Sequence, residues 1–155
     1  MHVESARDML RAVEAALPAD IGIFAAAVAD WRVADAGLQK MKKESGGVPA
    51  LTLVENPDIL ATIAHREAGR PALVVGFAAE TQDVVAHAQR KLARKACDLI
   101  IANDVSSGTG VMGGASNTVH LVTRTGIETW PTLPKEEVAR RLIAHLGTIL
   151  GTLPR

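Results

Sequence analysis

The sequence has little that would direct it to a nucleic acid, a membrane or an oxidising compartment. It carries 17 basic and 17 acidic side chains among 155 residues, so its net charge is zero and no overall field attracts a polyanion. Its longest apolar runs, residues 21–29 and 72–79, are much shorter than the ~20 residues of a membrane helix, and residues 1–7 lack the order of a signal peptide. Its single cysteine, Cys97, cannot form an internal disulfide. We therefore expect a cytoplasmic protein with no nucleic-acid or membrane partner.

The remaining composition, 48% hydrophobic and 22% charged, is that of one globular domain over residues 1–155. Ser5 and Asp8 form the pattern of a capped helix start, and Asn56 followed by Pro57 predicts a second start with Asn56 as the cap. Apolar spacing and turn residues predict helices over residues 6–17, 57–69, 83–95 and from 134 onward, and strands over 20–27, 49–55, 72–79, 98–102, 118–123 and 127–130. This alternation predicts an α/β fold: a Rossmann-like, three-layer α/β/α arrangement with a mostly parallel sheet and an antiparallel edge hairpin.

Residues 24–43 form the most informative stretch. An apolar run ends at Asp30, and Lys40, Lys42 and Lys43 follow ten to thirteen residues later. A buried strand that ends at a carboxylate and leads to lysines suits a polyanion site at the carboxyl edge of a sheet. A run of four residues with three lysines is also typical of a solvated surface loop, so both interpretations stay open at this point.

A second basic group lies at the end of the predicted helix 83–95, where Lys91 and Lys95 are four residues apart on one face. Like charges at that spacing repel each other, and the helix dipole offsets part of the cost at the C-terminal end. The two lysines are therefore either dipole partners or a clamp for an anion. Phe77 has two interpretations as well, packing in the core or stacking on a nucleobase.

The segment Gly108–Gly113 matches the dinucleotide pattern G-x-G-x-x-G. That pattern binds a pyrophosphate only where it opens a helix, whereas here it leads into the predicted hairpin. Its glycine content instead favours a flexible loop that could serve as a lid.

Six blocks of sequence, taken in order, closely resemble phosphopantothenate-cysteine ligase, which in bacteria is the C-terminal half of a protein fused to a flavin-dependent decarboxylase. These blocks are residues 26–32, 40–43, 56–60, 75–81, Lys91 with Lys95, and 102–106. The resemblance implies a reaction in which the carboxylate of 4'-phosphopantothenate attacks the α-phosphate of CTP. The acyl-cytidylate so formed then reacts with the amine of cysteine and releases CMP.

The resemblance also implies the site and the partners. Lys40 is the expected catalytic residue, acting on the triphosphate together with a magnesium ion. The expected nucleotide pocket consists of Phe24, Ala25, Ala26, Asp30, Lys40, Pro57, Asp58, Ile59, Leu60, Phe77, Lys91 and Lys95. No protein residue is expected to form a metal site of its own. A homodimer is expected, and FMN would belong to the fused decarboxylase and not to this chain.

Two departures from the family bear on activity. The ligase's glycine-rich first strand and a following asparagine that acts on the acyl-cytidylate have no counterpart ahead of Ser5, so residues 1–155 resemble the C-terminal portion of the ligase. Met112 and Ala115 stand where the family usually has an aromatic and an acidic residue. We therefore expect nucleotide binding with little complete turnover. The alternative is a non-catalytic nucleotide-binding or oligomerisation module of the same fold. A Rossmann oxidoreductase is the third interpretation.

Overall fold

The computed structural model describes residues 1–35, 50–107, 109, 111 and 113–153, and the chain forms two compact units. The first unit consists of Met1–Ala15 and Ala27–Ile59, and the second of Ala16–Ala26 and Leu60–Arg155. In chain order the elements are α1 (Ala6–Ala15), β1 (Ile21–Phe24), β2 (Trp31–Val33), β3 (Leu53–Glu55), α2 (Ile59–Ala64), β4 (Leu73–Glu80), α3 (Val84–Lys95), β5 (Leu99–Asp104), β6 (Ser116–Asn117), β7 (Val119–Val122), β8 (Ile127–Thr129), β9 (Leu133–Pro134) and α4 (Lys135–Thr152). The single domain expected over residues 1–155 stays a prediction.

The first unit contains α1 and an antiparallel ribbon of β2 and β3. A reciprocal capping box opens α1, because the N–H of Asp8 donates to Ser5 Oγ at 3.2 Å and the N–H of Ser5 donates to Asp8 Oδ2 at 3.1 Å. In the ribbon Trp31 lies opposite Glu55, and Val33 opposite Leu53. The predicted cap of α1 is therefore confirmed, whereas β2 falls in a segment that was predicted to be a charged loop.

The start of α2 differs from the prediction. Asn56 lies too far before the helix to occupy its cap position, and its side-chain amide instead donates to the carbonyls of Ala29 at 2.8 Å and Trp31 at 3.4 Å. The helix begins only at Ile59 and ends at Ala64, well before residue 69. The guanidinium Nε of Arg70 donates to the carbonyl of Ala64 at 2.8 Å, which satisfies a carbonyl at the helix end from outside the helix.

The second unit is built on a five-stranded sheet in the order β1-β4-β5-β7-β8. The pairs β1/β4 and β4/β5 are parallel, and β7 and β8 complete the sheet as an antiparallel edge hairpin. This order confirms the predicted α/β architecture with a parallel core and an antiparallel edge. After the glycine-rich segment the chain enters β6 and β7, which agrees with the predicted failure of the dinucleotide pattern to open a helix.

Both faces of this sheet are covered by helices, which explains the lack of alternation along β4. One face buries Val74, Ala78 and Ile100 together with Leu60 of α2 and with Ala88 and Leu92 of α3. The other face buries Val75, Leu99 and Ile101 together with Trp130 and with Val138, Leu142 and Leu146 of α4. The three layers predicted from the sequence are therefore present in this unit.

No helix among the described residues is both long enough and apolar enough to cross a bilayer.

Candidate functional site

In the first unit the segment around Asp30 lies against the segment that begins at Asn56. The backbone N–H of Asn56 donates to the carbonyl of Asp30 at 2.8 Å, and its side-chain amide donates to the carbonyl of Ala29 at 2.8 Å. Two hydrogen bonds from one residue therefore fix the end of the Ala26–Asp30 run beside Pro57 and Asp58. These segments belong to two of the six sequence blocks, and Asp30 and Asn56 are 26 positions apart in the chain.

The residues at this junction differ in exposure. Asp30 and Asp58 are exposed, Pro57 is half-buried and Ile59 is buried. The two carboxylates can therefore reach a bound molecule, whereas the side chain of Ile59 packs inside the protein. In the second unit Leu60 is likewise buried, against Val74, Ala88 and Leu92.

Four other predicted residues of the second unit lie on or next to β1 and β4, and Phe77 is in the middle of β4. Phe24 is the last residue of β1 and pairs in register with Gly76, directly before Phe77. Ala25 and Ala26 follow β1 and are exposed. The carboxyl ends of parallel strands are where α/β sheets bind ligands, so Phe24, Ala25 and Ala26 occupy the expected edge.

The rings of the two phenylalanines lie on opposite faces of the sheet. Phe24 packs against the cluster that contains Leu92 of α3, whereas Phe77 packs against the cluster that contains Leu142 of α4. The half-buried ring of Phe77 is thus on the face away from Lys91. Lys91 contacts Phe77 through the backbone of that residue: Lys91 Nζ donates to the Phe77 carbonyl at 2.8 Å.

Lys91 and Lys95 are both half-buried on α3. The hydrogen bond to Phe77 occupies one of the three N–H donors of Lys91, so two donors remain for water or a ligand. The catalytic candidate Lys40 lies outside the described residues, as do Lys42, Lys43, Gly108 and Met112.

A further pair of ionisable groups, at the carboxyl end of β4, was not predicted from the sequence. His87 of α3 and Glu80 at the end of β4 form a contact of 3.0 Å between Nδ1 and Oε2, and both are half-buried. Sequence spacing gives no hint of it, because the two residues are joined by the turn between strand and helix. The nearby Asp104 accepts hydrogen bonds from Ser106, and these hold the pKa of its carboxyl below the usual value.

Cys97 has no role at this edge. It is fully buried in the core, and burial raises the pKa of its thiol. The thiol is therefore a packing group, as its position at a strand start predicts.

The sheet and its helix layers define a three-layer α/β/α protein with the acidic side chains of Glu80 and Asp104 at the carboxyl ends of two parallel strands. The chain belongs to the family described as DNA/pantothenate metabolism flavoprotein C-terminal domain, which it matches over residues 1–149. This match confirms the family predicted from the six sequence blocks.

Named relatives support the same family. The chain is 39% identical over 153 residues to the coenzyme A biosynthesis bifunctional protein CoaBC of Vibrio vulnificus strain YJ016, covering 97% of this chain and 38% of the relative. It is 40% identical over 149 residues to the protein of the same name from Escherichia coli strain K12, covering 94% of this chain and 36% of the relative. The chain therefore spans less than two-fifths of the length of these relatives.

Solved structures show the same fold. The crystal structure of the C-terminal domain of a coenzyme A biosynthesis bifunctional protein CoaBC superposes with a TM-score of 0.74 at 32% identity, covering 97% of this chain and 65% of that one. The structure of the DNA/pantothenate metabolism flavoprotein from Streptococcus pneumoniae superposes with a TM-score of 0.71. At 19% identity over 96% of this chain and 72% of the other, the latter supports the fold alone.

Proposed function

We propose that this chain binds CTP and takes part in the ligation of 4'-phosphopantothenate to cysteine in coenzyme A biosynthesis, through an acyl-cytidylate. One observation carries the proposal: Asn56 holds the segment that ends at Asp30 beside Pro57 and Asp58. These segments are blocks of the family's sequence pattern, and the named relatives are coenzyme A biosynthesis proteins.

In the proposed reaction the carboxylate of the acid substrate attacks the α-phosphate of CTP, and pyrophosphate leaves. The amine of cysteine then forms a C–N bond to the acyl carbon, CMP leaves and the amine loses a proton. Such transfers depend mainly on positioning and on neutralising charge, so lysines can do much of the work without a covalent enzyme intermediate. Lys40 would stabilise the charge that develops on the triphosphate, with Lys91 and Lys95 contributing from α3.

A magnesium ion fits this proposal as a companion of the nucleotide. Mg²⁺ is usually bound through substrate phosphates and one or two carboxylates, and it keeps several waters. Asp30 and Asp58 are exposed carboxylates on neighbouring segments of the first unit, so either can supply such a contact. When bound, the ion would neutralise charge on the phosphates.

The proposal includes a homodimer, which the exposed face of the β2–β3 ribbon supports. Trp31 and Leu53 are 55% and 54% exposed, and the register places them on one face of the ribbon. Leu51, two residues before β3 begins, is 52% exposed. An isolated two-stranded ribbon is at best marginally stable, and an apolar face of this kind is commonly covered by another subunit. A second copy presents the same face, as a two-fold contact requires.

The proposal also includes the fused flavin-dependent decarboxylase as a partner domain. The relatives are named bifunctional, and the chain covers 38% of the first of them. FMN would belong to that domain. The cytoplasmic location stays a prediction from the sequence.

Thermal unfolding in the presence of competing nucleotides tests the proposal. CTP with magnesium should raise the unfolding temperature, since a ligand at a hundredfold its Kd adds about 2.7 kcal/mol of stability, and NAD should leave it unchanged. Stabilisation by NAD alone would favour the oxidoreductase. Release of pyrophosphate from CTP only when 4'-phosphopantothenate is present separates the ligase from a non-catalytic nucleotide-binding module.

A further inference from the structure

Three arginine side chains line one open cleft of the first unit. Arg7 and Arg11 project from α1, and Arg32 projects from β2. The cleft has a volume of about 450 Å³, which lies within the usual range for small-molecule sites. Its wall also includes Asn56 and Pro57, the first two residues of the sequence block 56–60 that the proposed nucleotide pocket uses.

The charges on this cleft are not balanced by its own walls. Against three guanidinium groups it has one carboxylate, that of Glu55. Arg7 and Arg11 are four residues apart on α1, a spacing at which like charges repel each other. The carboxylate of Asp8 offsets part of that repulsion, and an anion bound in the cleft would reduce it further.

The arginines differ in how far other groups already engage them. Arg11 forms an ion pair with Asp8, one turn earlier on the helix. Arg32 donates one N–H to Glu55, and the acceptor is the backbone carbonyl of Glu55, not its carboxylate. The side chain of Arg7 forms no hydrogen bond or ion pair in the part of the chain that the structure describes, although its charge contributes to lowering the pKa of Asp8. The guanidinium of Arg7 and the remaining donors of Arg32 therefore stay available.

We propose that this cleft binds the phosphate group of a phosphorylated small molecule. A guanidinium presents parallel N–H donors that match two phosphate oxygens, and it is more weakly hydrated than an ammonium ion. Because the cleft adjoins Pro57, the bound phosphate would lie close to the proposed nucleotide block. Its assignment to the acid substrate or to released pyrophosphate rests on the proposed function, whereas the anion site itself does not.

Calorimetry with three probes tests the proposal: inorganic phosphate, inorganic pyrophosphate and 4'-phosphopantothenate, with unphosphorylated pantothenate as the control ligand. Arg7→Ala and Arg32→Ala should each weaken the best-bound probe by about tenfold or more, since a hydrogen bond between charged partners commonly contributes that much. Pantothenate should show no such dependence. The preferred probe identifies the source of the phosphate.

Arg140→Ala is the matched control variant. Arg140 pairs with Glu137 three residues earlier on α4, as Arg11 pairs with Asp8 on α1, and it lies in the other unit. Its replacement should leave the affinity for phosphate unchanged. Equal losses in Arg140→Ala and Arg7→Ala, or failure of all three phosphate-containing probes to bind more tightly than pantothenate, would overturn the proposal.

Two further measurements control for effects on folding. Arg32→Ala removes the hydrogen bond to the Glu55 carbonyl within the ribbon, so its unfolding curve is compared with that of the parent protein. Arg7→Ala removes no described hydrogen bond or ion pair and so tests the site without that complication. CTP is titrated into the same samples. Arginine-dependent phosphate binding without CTP binding would refute the proposed function and leave the cleft intact, and the reverse outcome would refute the cleft alone.

Discussion

Arg70 links three segments of the second unit through its guanidinium. It donates to the carbonyl of Ala64 at the end of α2 at 2.8 Å, to the carbonyl of Ala96 after α3 at 3.3 Å, and to Asp98 Oδ2 before β5 at 2.9 Å. The same carboxylate oxygen accepts the N–H of Val74 at 2.7 Å. One ion pair therefore satisfies backbone groups from two helix ends and a strand.

Replacing Arg70 with Met should lower the free energy of unfolding by about 2 kcal/mol, because Asp98 loses its partner and three carbonyls, those of Ala64, Pro71 and Ala96, lose a charged donor. Urea unfolding measures the change. Arg140→Met removes an exposed pair with Glu137 and should cost less than about 0.5 kcal/mol. Equal changes in the free energy of unfolding for the two substitutions would show that the Arg70 contacts stabilise the protein no more than an exposed ion pair does.

Gly76 permits the close packing of α2 on β4. A Cβ atom at this position would lie 2.6 Å from Leu60 Cδ2 and 2.9 Å from Ile100 Cδ1, so Gly76→Ala should destabilise the protein by about 1–3 kcal/mol. Gly147→Ala in α4, where no atom lies within 4 Å of the added carbon, should be neutral or stabilising by up to about 1 kcal/mol. Comparison of the two unfolding curves checks the prediction, and a neutral Gly76→Ala would contradict it.

At the scale of elements, the capping box of α1 gives stability that depends on pH. Hydrogen bonds from Ser5 are the main reason that the pKa of Asp8 lies below its usual value. Because the folded-state pKa is lowered, the contribution of the carboxylate is present above the pKa of the unfolded chain. It is lost as the pH falls through the folded-state pKa.

The stability difference between the parent protein and Asp8→Asn should therefore shrink as the pH is lowered from about 5 to about 2. Urea unfolding at several pH values measures this difference. In a Ser5→Ala background the same substitution should have a much smaller pH dependence. A difference that is constant with pH in both backgrounds would show that the Ser5 hydrogen bonds do not stabilise the Asp8 carboxylate.

The apolar face of the β2–β3 ribbon yields a prediction about assembly. If it is the dimer contact, Trp31→Ser combined with Leu53→Ser should convert the dimer to a monomer in analytical ultracentrifugation. Ile143→Ser, at a residue of α4 that is 60% exposed, should leave the dimer intact. A parent protein that is already monomeric at high concentration contradicts the proposed contact.

The elements differ in how well their sequence predicts them. α3 and β5 are long and buried on one or both sides, so apolar spacing and turn residues place them within two residues of their observed bounds. β2 was missed because three residues that are exposed or half-buried carry no periodic pattern, and it is held by pairing with β3. Asn56 was misinterpreted for a similar reason: its preference for caps is local, whereas its hydrogen bonds to Ala29 and Trp31 are with a distant segment.

At the scale of the whole molecule, the family is shown by a match over nearly the whole chain, whereas the site residues are predicted from short blocks of sequence. The family match covers residues 1–149 and agrees with the order of the six blocks, which no single block could establish. The resemblance also implied one pocket made from several blocks, which stays a prediction, while hydrogen bonds join Asn56 to Asp30 and Lys91 to Phe77. The face on which the Phe77 ring lies and the contact of His87 with Glu80 depend on the register and the turn geometry, which no short pattern encodes.

Titration of the protein with CTP and magnesium in a calorimeter, repeated with Lys40→Ala, tests the central proposal most directly. Lys135→Ala is the control, because Lys135 donates to the Val111 carbonyl and lies outside the proposed pocket. The account predicts saturable CTP binding that Lys40→Ala weakens by at least about tenfold and Lys135→Ala leaves unchanged. Failure of the folded protein to bind CTP, or equal affinities in all three proteins, would contradict it.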